Sequence, residues 1–376
     1  MKKKIIYILT IILGIAFIFS GHALASKNMP NTQQNDVTLY KAEVVSATEK
    51  DDYIVFDFFF TDGKDENRHT AIQQDTQISN PVKAGDIVYV TKSTDNSGYS
   101  YVFQDFFRLN TIIYLAIFFL ILVIIFGRTK GVNTIISLAF TLLSLFYVFL
   151  PSVLSGHNIY LWGAICCIAI VIFVLIIVHG LNKKSLASGL GTVLGLSFAW
   201  IIMQVSSDFF HFTGMTSEDA MYLKFNTFGL TIDIKAIFFT TIIIGALGAV
   251  MDVAMSIATS LYEVKQLKPE VSTKELIKSG FEIGKDILGT MTNTLVLAYV
   301  GSGFLTIIVI VAVNSNLIQI LNREFLIAQI FEPLIGSFGI VATLPITSVI
   351  AAYLLNHSWK NWKTKFSNKK QAITKS

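Results

Sequence analysis

Charge is scarce in this chain. Only 14% of its 376 residues are Asp, Glu, Lys or Arg and 53% are hydrophobic, against about 25% charged in an ordinary soluble domain. That balance excludes a soluble globular protein. Cysteine is scarcer still: Cys166 and Cys167 stand alone, side by side in an apolar run, where successive residues point to different faces of a helix. Neither a disulfide framework nor a zinc site can be built from them, so they are expected to be core-packing thiols. Signatures of catalysis are missing too. No His-Glu-x-x-His and no Walker sequence occurs. Gly284-Lys285-Asp286 does not reproduce the Gly-x-Gly-Asp of intramembrane aspartyl proteases, and Gly301-Ser302-Gly303 has no suitably placed histidine. No enzyme, no cofactor and no metal site is therefore expected, and any transport would draw on an ion gradient or a partner. Low-complexity runs, internal repeats and two superposable inverted halves are also lacking. The formal charge of +4 is mild, and nucleic acid is not an expected partner.

Apolar segments of membrane length fill most of the chain. The N-terminus places Lys2, Lys3 and Lys4 before an apolar run and ends it at Ala23-Leu24-Ala25, the three regions of a secretory signal. Residues 1–25 fit a cleaved signal peptide or a retained anchor equally well. Residues 26–108 turn polar, with short β-branched and aromatic runs divided by Gly and Pro, the chemistry of strands and turns. A small β-barrel or sandwich is expected there. It holds 8 Lys and Arg against 13 Asp and Glu, which argues against docking on an anionic membrane surface. His69 is expected in a solvated polar turn. Seven further apolar segments follow, at residues 109–126, 132–150, 159–178, 186–205, 236–257, 287–313 and 325–355, each long enough given that about 20 residues cross a bilayer.

These segments and the N-terminal one give an α-helical polytopic bundle of about eight spans, with residues 109–356 as the bundle proper and 357–376 as a basic tail. The connecting segments carry 18 Lys and Arg on one side against three on the other, Lys224, Lys235 and Arg323. The basic side is cytoplasmic. Both termini then start inside and residues 26–108 lie outside. Between the spans, 206–233 is a long outer loop expected to lie on the interface or fold back as a lid. Ser272-Thr-Lys-Glu275 is a capping box that should start a helix running on into the next span. The last stretch would be about 46 Å as one helix and contains Glu332-Pro333 and Pro345, so a broken or re-entrant first part is expected.

Polar residues inside the spans point to function. Gly245, Gly248, Asp252, Ser256 and Thr259 recur at steps of three or four and share a helix face; Asp286, Gly289, Thr290 and Asn293 do so on the next segment. A charge at mid-bilayer costs about 2.5 to 3.5 kcal/mol even on the lenient insertion scale, so such faces must point at protein or water. Asp252 is the sharpest candidate, a group that takes up a proton or cation with Asn293, Ser256, Thr290 and Thr292 as neutral ligands; Asp286 is at the cytoplasmic edge, and Glu332 precedes a proline that frees carbonyls. Gly191 and Gly195 have the Gly-x-x-x-Gly spacing of close helix packing. Gly245, Gly248 and Gly289 are expected to pack in the same way.

The runs Gly245-Ala-Leu-Gly-Ala-Val-Met-Asp252-Val-Ala-Met-Ser256-Ile-Ala and Gly284-Lys-Asp286-Ile-Leu-Gly-Thr-Met-Thr-Asn293-Thr-Leu resemble the bacterial YibE/F-like membrane proteins. The resemblance implies a polytopic plasma-membrane protein, often found with a related membrane protein that lacks the outer domain, so a hetero-oligomer is expected besides contact with membrane lipid; a homo-oligomer is the other assembly considered. It supplies no substrate and no catalytic residue. The expected function is a secondary permease or exporter component with its polar seam at Asp252 and Asn293. The alternative is a non-transporting envelope sensor or scaffold whose outer β domain binds a partner.

Overall fold

A computed structural model describes residues 2–27, 29, 38–50, 53–61, 67–73, 80–93, 100–226, 232–313 and 316–357. The chain divides into two compact units, residues 1–30 with 129–376, and residues 31–128. The N-terminal helix α1 (Lys2–Ala25) belongs to the first.

Unit two is a closed five-stranded barrel. Its strands are β1 (Leu39–Lys50), β2 (Tyr53–Phe60), β3 (His69–Gln73), β4 (Ile87–Lys92) and β5 (Tyr101–Phe106), in the order β1-β2-β3-β5-β4. Only β3 and β5 run parallel. Closure depends on β1, which pairs with β4 through Leu39–Glu43 and with β2 through Ala42–Lys50. A register shift between Val44 and Ser46 bends it enough to serve both neighbours. Along β2 the two-residue period is plain: Ile54, Phe56 and Phe58 are buried while Asp57 and Phe59 face outward. Val44, Val88, Val90 and Ala71 complete the core. Gln73, 1% exposed, bridges the wall: its amide donates to the Asn80 carbonyl at 2.8 Å and its carbonyl accepts from the Val82 backbone at 3.0 Å. His69 departs from the solvated turn expected of it. It opens β3 opposite Phe58 and packs its ring against Phe58, Phe60 and Tyr101.

On the outer face, Arg68 reaches Asp57 at 2.6 Å, Ser46 reaches it at 3.1 Å and Thr70 at 2.8 Å. Burial by itself raises the Asp57 carboxyl, but the hydrogen bonds from Thr70, Arg68 and Ser46 and the Arg68 charge outweigh it and hold the group below its usual 3.8. A carboxyl depressed on folding adds stability above its unfolded pKa and loses it as pH falls through the lower folded value. The barrel is therefore expected to weaken below about pH 4, and Asp57→Asn to flatten that acid slope. Pepsin cleavage within 38–106, compared between the two proteins at each pH, checks it.

The remaining elements are helical, and the first of them after the barrel is shared, with residues 109–128 in unit two and 129–143 in unit one. After α2 (Leu109–Leu143), which breaks at Arg128 (φ 49°, ψ −127°), a π-helical turn at Ser144–Phe149 leads into α3 (Leu150–Leu154). Then come α4 (Ile159–Val174), a second π-turn at Leu175–His179, α5 (Lys183–Phe210), α6 (Glu218–Asn226), α7 (Ile234–Leu267), α8 (Thr273–Ser302), α9 (Phe304–Val313), α10 (Leu317–Leu321) and α11 (Glu324–Asn356). Six helical stretches of the described residues are long and apolar enough to cross a membrane: Ile5–Ala25, Leu109–Leu154, Ile159–His179, Lys183–Phe210, Ile234–Leu267 and Glu324–Asn356. The eight spans expected from sequence count the two sides of Arg128 separately and add 287–313, which the structure divides at Gly303 into α8 and α9.

Caps set the starts. Asn158, Asn182 and Asp233 each accept a backbone N–H near the first turn of α4, α5 and α7. Ser272 and Glu275 form the expected reciprocal capping box. Packing then rests on small residues. Gly191 and Gly195 of α5 lie beneath Thr347 and Thr343 of α11, and Gly284 of α8 beneath Leu344. Gly14 and Gly21 of α1 lie beneath Phe173 and Val148. Tyr7 donates to Asn133, which donates to the Ile177 carbonyl at 2.9 Å, so α1 is tied to two other segments. The two cysteines are buried free thiols.

One expectation changes here. The stretch 325–355 is not broken: α11 is one helix of 33 residues with Pro333 and Pro345 inside. Each proline removes one backbone donor, and with α5, α7 and α8 packed along α11 that loss does not open a turn. The first part of the outer loop packs onto the helices. Phe212 is buried among Phe238, Phe239 and Phe331, and the Glu324 carboxylate accepts from the Thr213 and Gly214 backbone at 2.8 and 2.9 Å and from the Thr213 hydroxyl at 2.9 Å. Residues 227–231 of that loop lie outside the described residues.

Candidate functional site

The long helix α7 carries two different faces. One is core: Ala246, Leu247, Val250, Val253, Ala254, Ile257, Ala258 and Leu261 are buried against the neighbouring helices. The other holds Gly245, Gly248, Asp252 and Ser256, all exposed on the single chain, with Thr259 half-buried. Lys235 and Glu263 bracket the apolar part of α7. At 1.5 Å per residue Asp252 then stands within about 5 Å of the midpoint between them.

Helix α8 runs beside α7 in the opposite direction. Gly280 meets Leu261 near the start of α8, and Gly245 meets the Tyr299 hydroxyl near its end. These contacts set Asp252 level with roughly residues 289–292 of α8, at the same depth. Asp286, Gly289, Thr290 and Asn293 are exposed there. Thr290 donates to its own helix at the Ile287 carbonyl, 2.9 Å away. Asp252, Ser256 and Asn293 make no hydrogen bond among the described residues. Asp286 is at the basic end beside Lys285, which pairs with Glu282 at 3.0 Å.

Five of the six path residues read from sequence thus share one strip, and the strip faces outward. The expectation that neighbouring spans of the same chain enclose it is not met. Two glycines expected to pack also differ: nothing stands within 4 Å of where a Cβ of Gly248 or Gly289 would be, whereas Gly191, Gly195 and Gly245 do meet a neighbour. The sixth residue, Glu332, is half-buried on α11. One turn on, Gly336 touches Leu295 of α8 and Ala246 of α7, which puts Glu332 toward the meeting of three helices. Among the described residues no group of three or more His, Cys, Asp or Glu is gathered to hold a metal ion.

A second feature was not read from sequence. Helices α4, α5 and α7 line a half-open cavity of about 610 Å³. Its floor includes buried Gly163, Cys167, Leu196 and Thr240, and its rim includes exposed Ala164, Ile168, Ser197 and Trp200. Asn158 and Tyr160 are also in its lining. Thr240 and Ile243 supply the α7 wall, on a different face from Asp252. The available signal was the set of small residues Gly163, Ala164 and Ser197 inside apolar runs, where close packing is the ordinary explanation.

An apolar bundle of long helices with a separate β-barrel defines a multi-pass membrane protein. Residues 115–357 match the YibE/F-like protein family. The chain belongs to that family. Among curated proteins and among solved structures no match is found.

Proposed function

We propose that this protein is a secondary permease or exporter component of the bacterial plasma membrane. It crosses the membrane eight times with α1 retained as a span, both termini inside and residues 26–108 outside. Its solute is apolar or amphiphilic and occupies the cavity between α4, α5 and α7. Asp252 carries the coupling proton or cation, with Asn293, Ser256 and Thr290 as neutral neighbours, Asp286 at the cytoplasmic entrance and Glu332 as a further acidic group. The observation that carries the proposal is α7 itself, which walls a 610 Å³ cavity with Thr240 and Ile243 and presents a carboxylate at hydrocarbon depth on another face. A shift of one helix would then couple the two. No catalytic step is part of this reading.

Proteoliposomes loaded with amphiphilic fluorescent dyes and given a proton, sodium or potassium gradient test it. Gradient-dependent efflux is expected, reduced at least tenfold by Asp252→Asn and blocked by Ser197→Trp, which fills the cavity from an exposed position. Absence of flux under every gradient, with Asp252→Asn cells unchanged, would defeat it. One observation favours the second reading, an envelope sensor or scaffold: the barrel is closed around its own core. Deleting residues 26–108 discriminates, since loss of all phenotype favours a binding module and retention favours the bundle.

A further inference from the structure

We infer that the exposed strip on α7 and α8 is where a second copy of this chain docks within the membrane. The inference holds whether or not the chain transports anything. Lipid-facing surfaces elsewhere in the bundle are built of large apolar side chains, such as Leu190, Leu194 and Phe198 on α5 and Ile165, Ile168 and Ile172 on α4, all exposed. On α7 no large hydrophobic residue is exposed before Tyr262, and on α8 none before Leu297. In their middle turns, 241–256 of α7 and 286–294 of α8, the exposed residues are instead glycines, hydroxyls, an amide and carboxylates. Hydrocarbon offers such groups no partner, and each unsatisfied one costs free energy. Open space over Gly248 and Gly289 lets another helix approach closely, the geometry that drives association where lipid competes for every apolar contact.

Donor and acceptor depths select a second copy as the occupant. Two copies in one membrane with the same orientation are related by an axis along the membrane normal, which keeps every residue at its own depth, and a two-fold contact must be self-complementary. The strip meets that condition. Asp252, an acceptor on α7, is level with Thr290 and within a turn of Asn293 on α8, and Asp286, an acceptor on α8, is level with Ser256 on α7. Setting α7 of one copy against α8 of the other therefore offers Asp252 the Asn293 amide and Asp286 the Ser256 hydroxyl of the opposite chain, twice over; the Thr290 hydroxyl already donates to its own helix.

Cysteine crosslinking in native membranes tests this, with Cys166 and Cys167 first replaced by alanine. Differently tagged chains co-expressed as Ser256→Cys with Asp286→Cys, and as Asp252→Cys with Thr290→Cys, are each expected to yield a covalent dimer carrying both tags on mild oxidation, since a disulfide needs Cα atoms within about 7 Å; Leu190→Cys with Ile168→Cys on the lipid faces is not. Adding Gly289→Leu to both chains of the Ser256→Cys and Asp286→Cys pair should cut the dimer at least fivefold while leaving the monomer folded, because that position is open in the single chain. A thermal-stability measurement in detergent verifies the folding. Monomer only with both strip pairs overturns the inference, as does an adduct whose mass shows a different membrane protein in place of the second copy.

Discussion

Gly195→Leu is expected to leave the bundle unassembled. A Cβ at Gly195 would fall on the Thr343 hydroxyl of α11 and lie 3.2 Å from the Gly339 carbonyl. Neither neighbour can move aside. Thr343 is fully buried, and its hydroxyl is fixed by donating to that same Gly339 carbonyl at 2.7 Å; the carbonyl is backbone. One turn away Gly191 fits under Thr347 in the same way, so two glycines and two threonines make a single seam along α5 and α11. A leucine there must push the helices apart over several turns. Overpacking costs about 1–3 kcal/mol even where some relaxation is possible, and here the upper end or beyond is expected. The measurement is thermal unfolding in detergent together with the monodisperse fraction on gel filtration. Gly195→Ala should fall between wild type and Gly195→Leu, and Leu194→Ala, on the exposed side of the same helix, should behave as wild type. A Gly195→Leu protein that melts like wild type would refute the close-packing account of this seam.

That seam was legible in advance because a Gly-x-x-x-Gly spacing in an apolar run has few other uses. The capping box at Ser272 and Glu275 was legible for a similar reason: the pattern is local and its partners are three residues apart. Gly248 and Gly289 carry the same local sign as Gly195, yet nothing covers them. A one-chain sequence records which face of a helix is small, not which neighbour meets it. Asp252 shows the same limit. The sequence places it near the middle of an apolar helix and beside a glycine ladder, and α7 carries both; enclosure by the chain's own spans was an inference from bilayer energetics, which asks only that some protein or water be there. Prolines misled in the other direction, because Pro333 and Pro345 remove local bonds while the neighbours that keep α11 straight come from distant α5, α7 and α8. His69 was misplaced because its strand is five residues long and its aromatic partners Phe58, Phe60 and Tyr101 arrive from two other strands. The cavity had no residue of unusual chemistry to announce it.

Phe58→Ala is expected to unfold the barrel while sparing the helical unit. Phe58 is fully buried, and its ring meets Phe56, Phe60, His69 and Tyr101 at centroid distances between 5.2 and 6.1 Å. Removing a buried phenylalanine costs about 3–5 kcal/mol through lost transfer energy and the cavity left behind, and these tilted and edge-on contacts add about 0.5–1.5 kcal/mol per pair. A five-stranded unit of this size has a total stability of only about 5–15 kcal/mol to draw on. Its neighbour in sequence supplies the control. Phe59 points outward and is 40% exposed, so Phe59→Ala should change stability by no more than about 0.5 kcal/mol. Hydrogen exchange of β2 amides in the full-length protein reads the barrel, and exchange of α5 and α11 amides reads the bundle. Fast exchange in β2 with unchanged protection in α5 and α11 is the expected pattern. Loss of protection in both units together would mean that the bundle leans on the barrel for its own stability, and a phenotype from Phe58→Ala could then no longer be assigned to the outer domain alone.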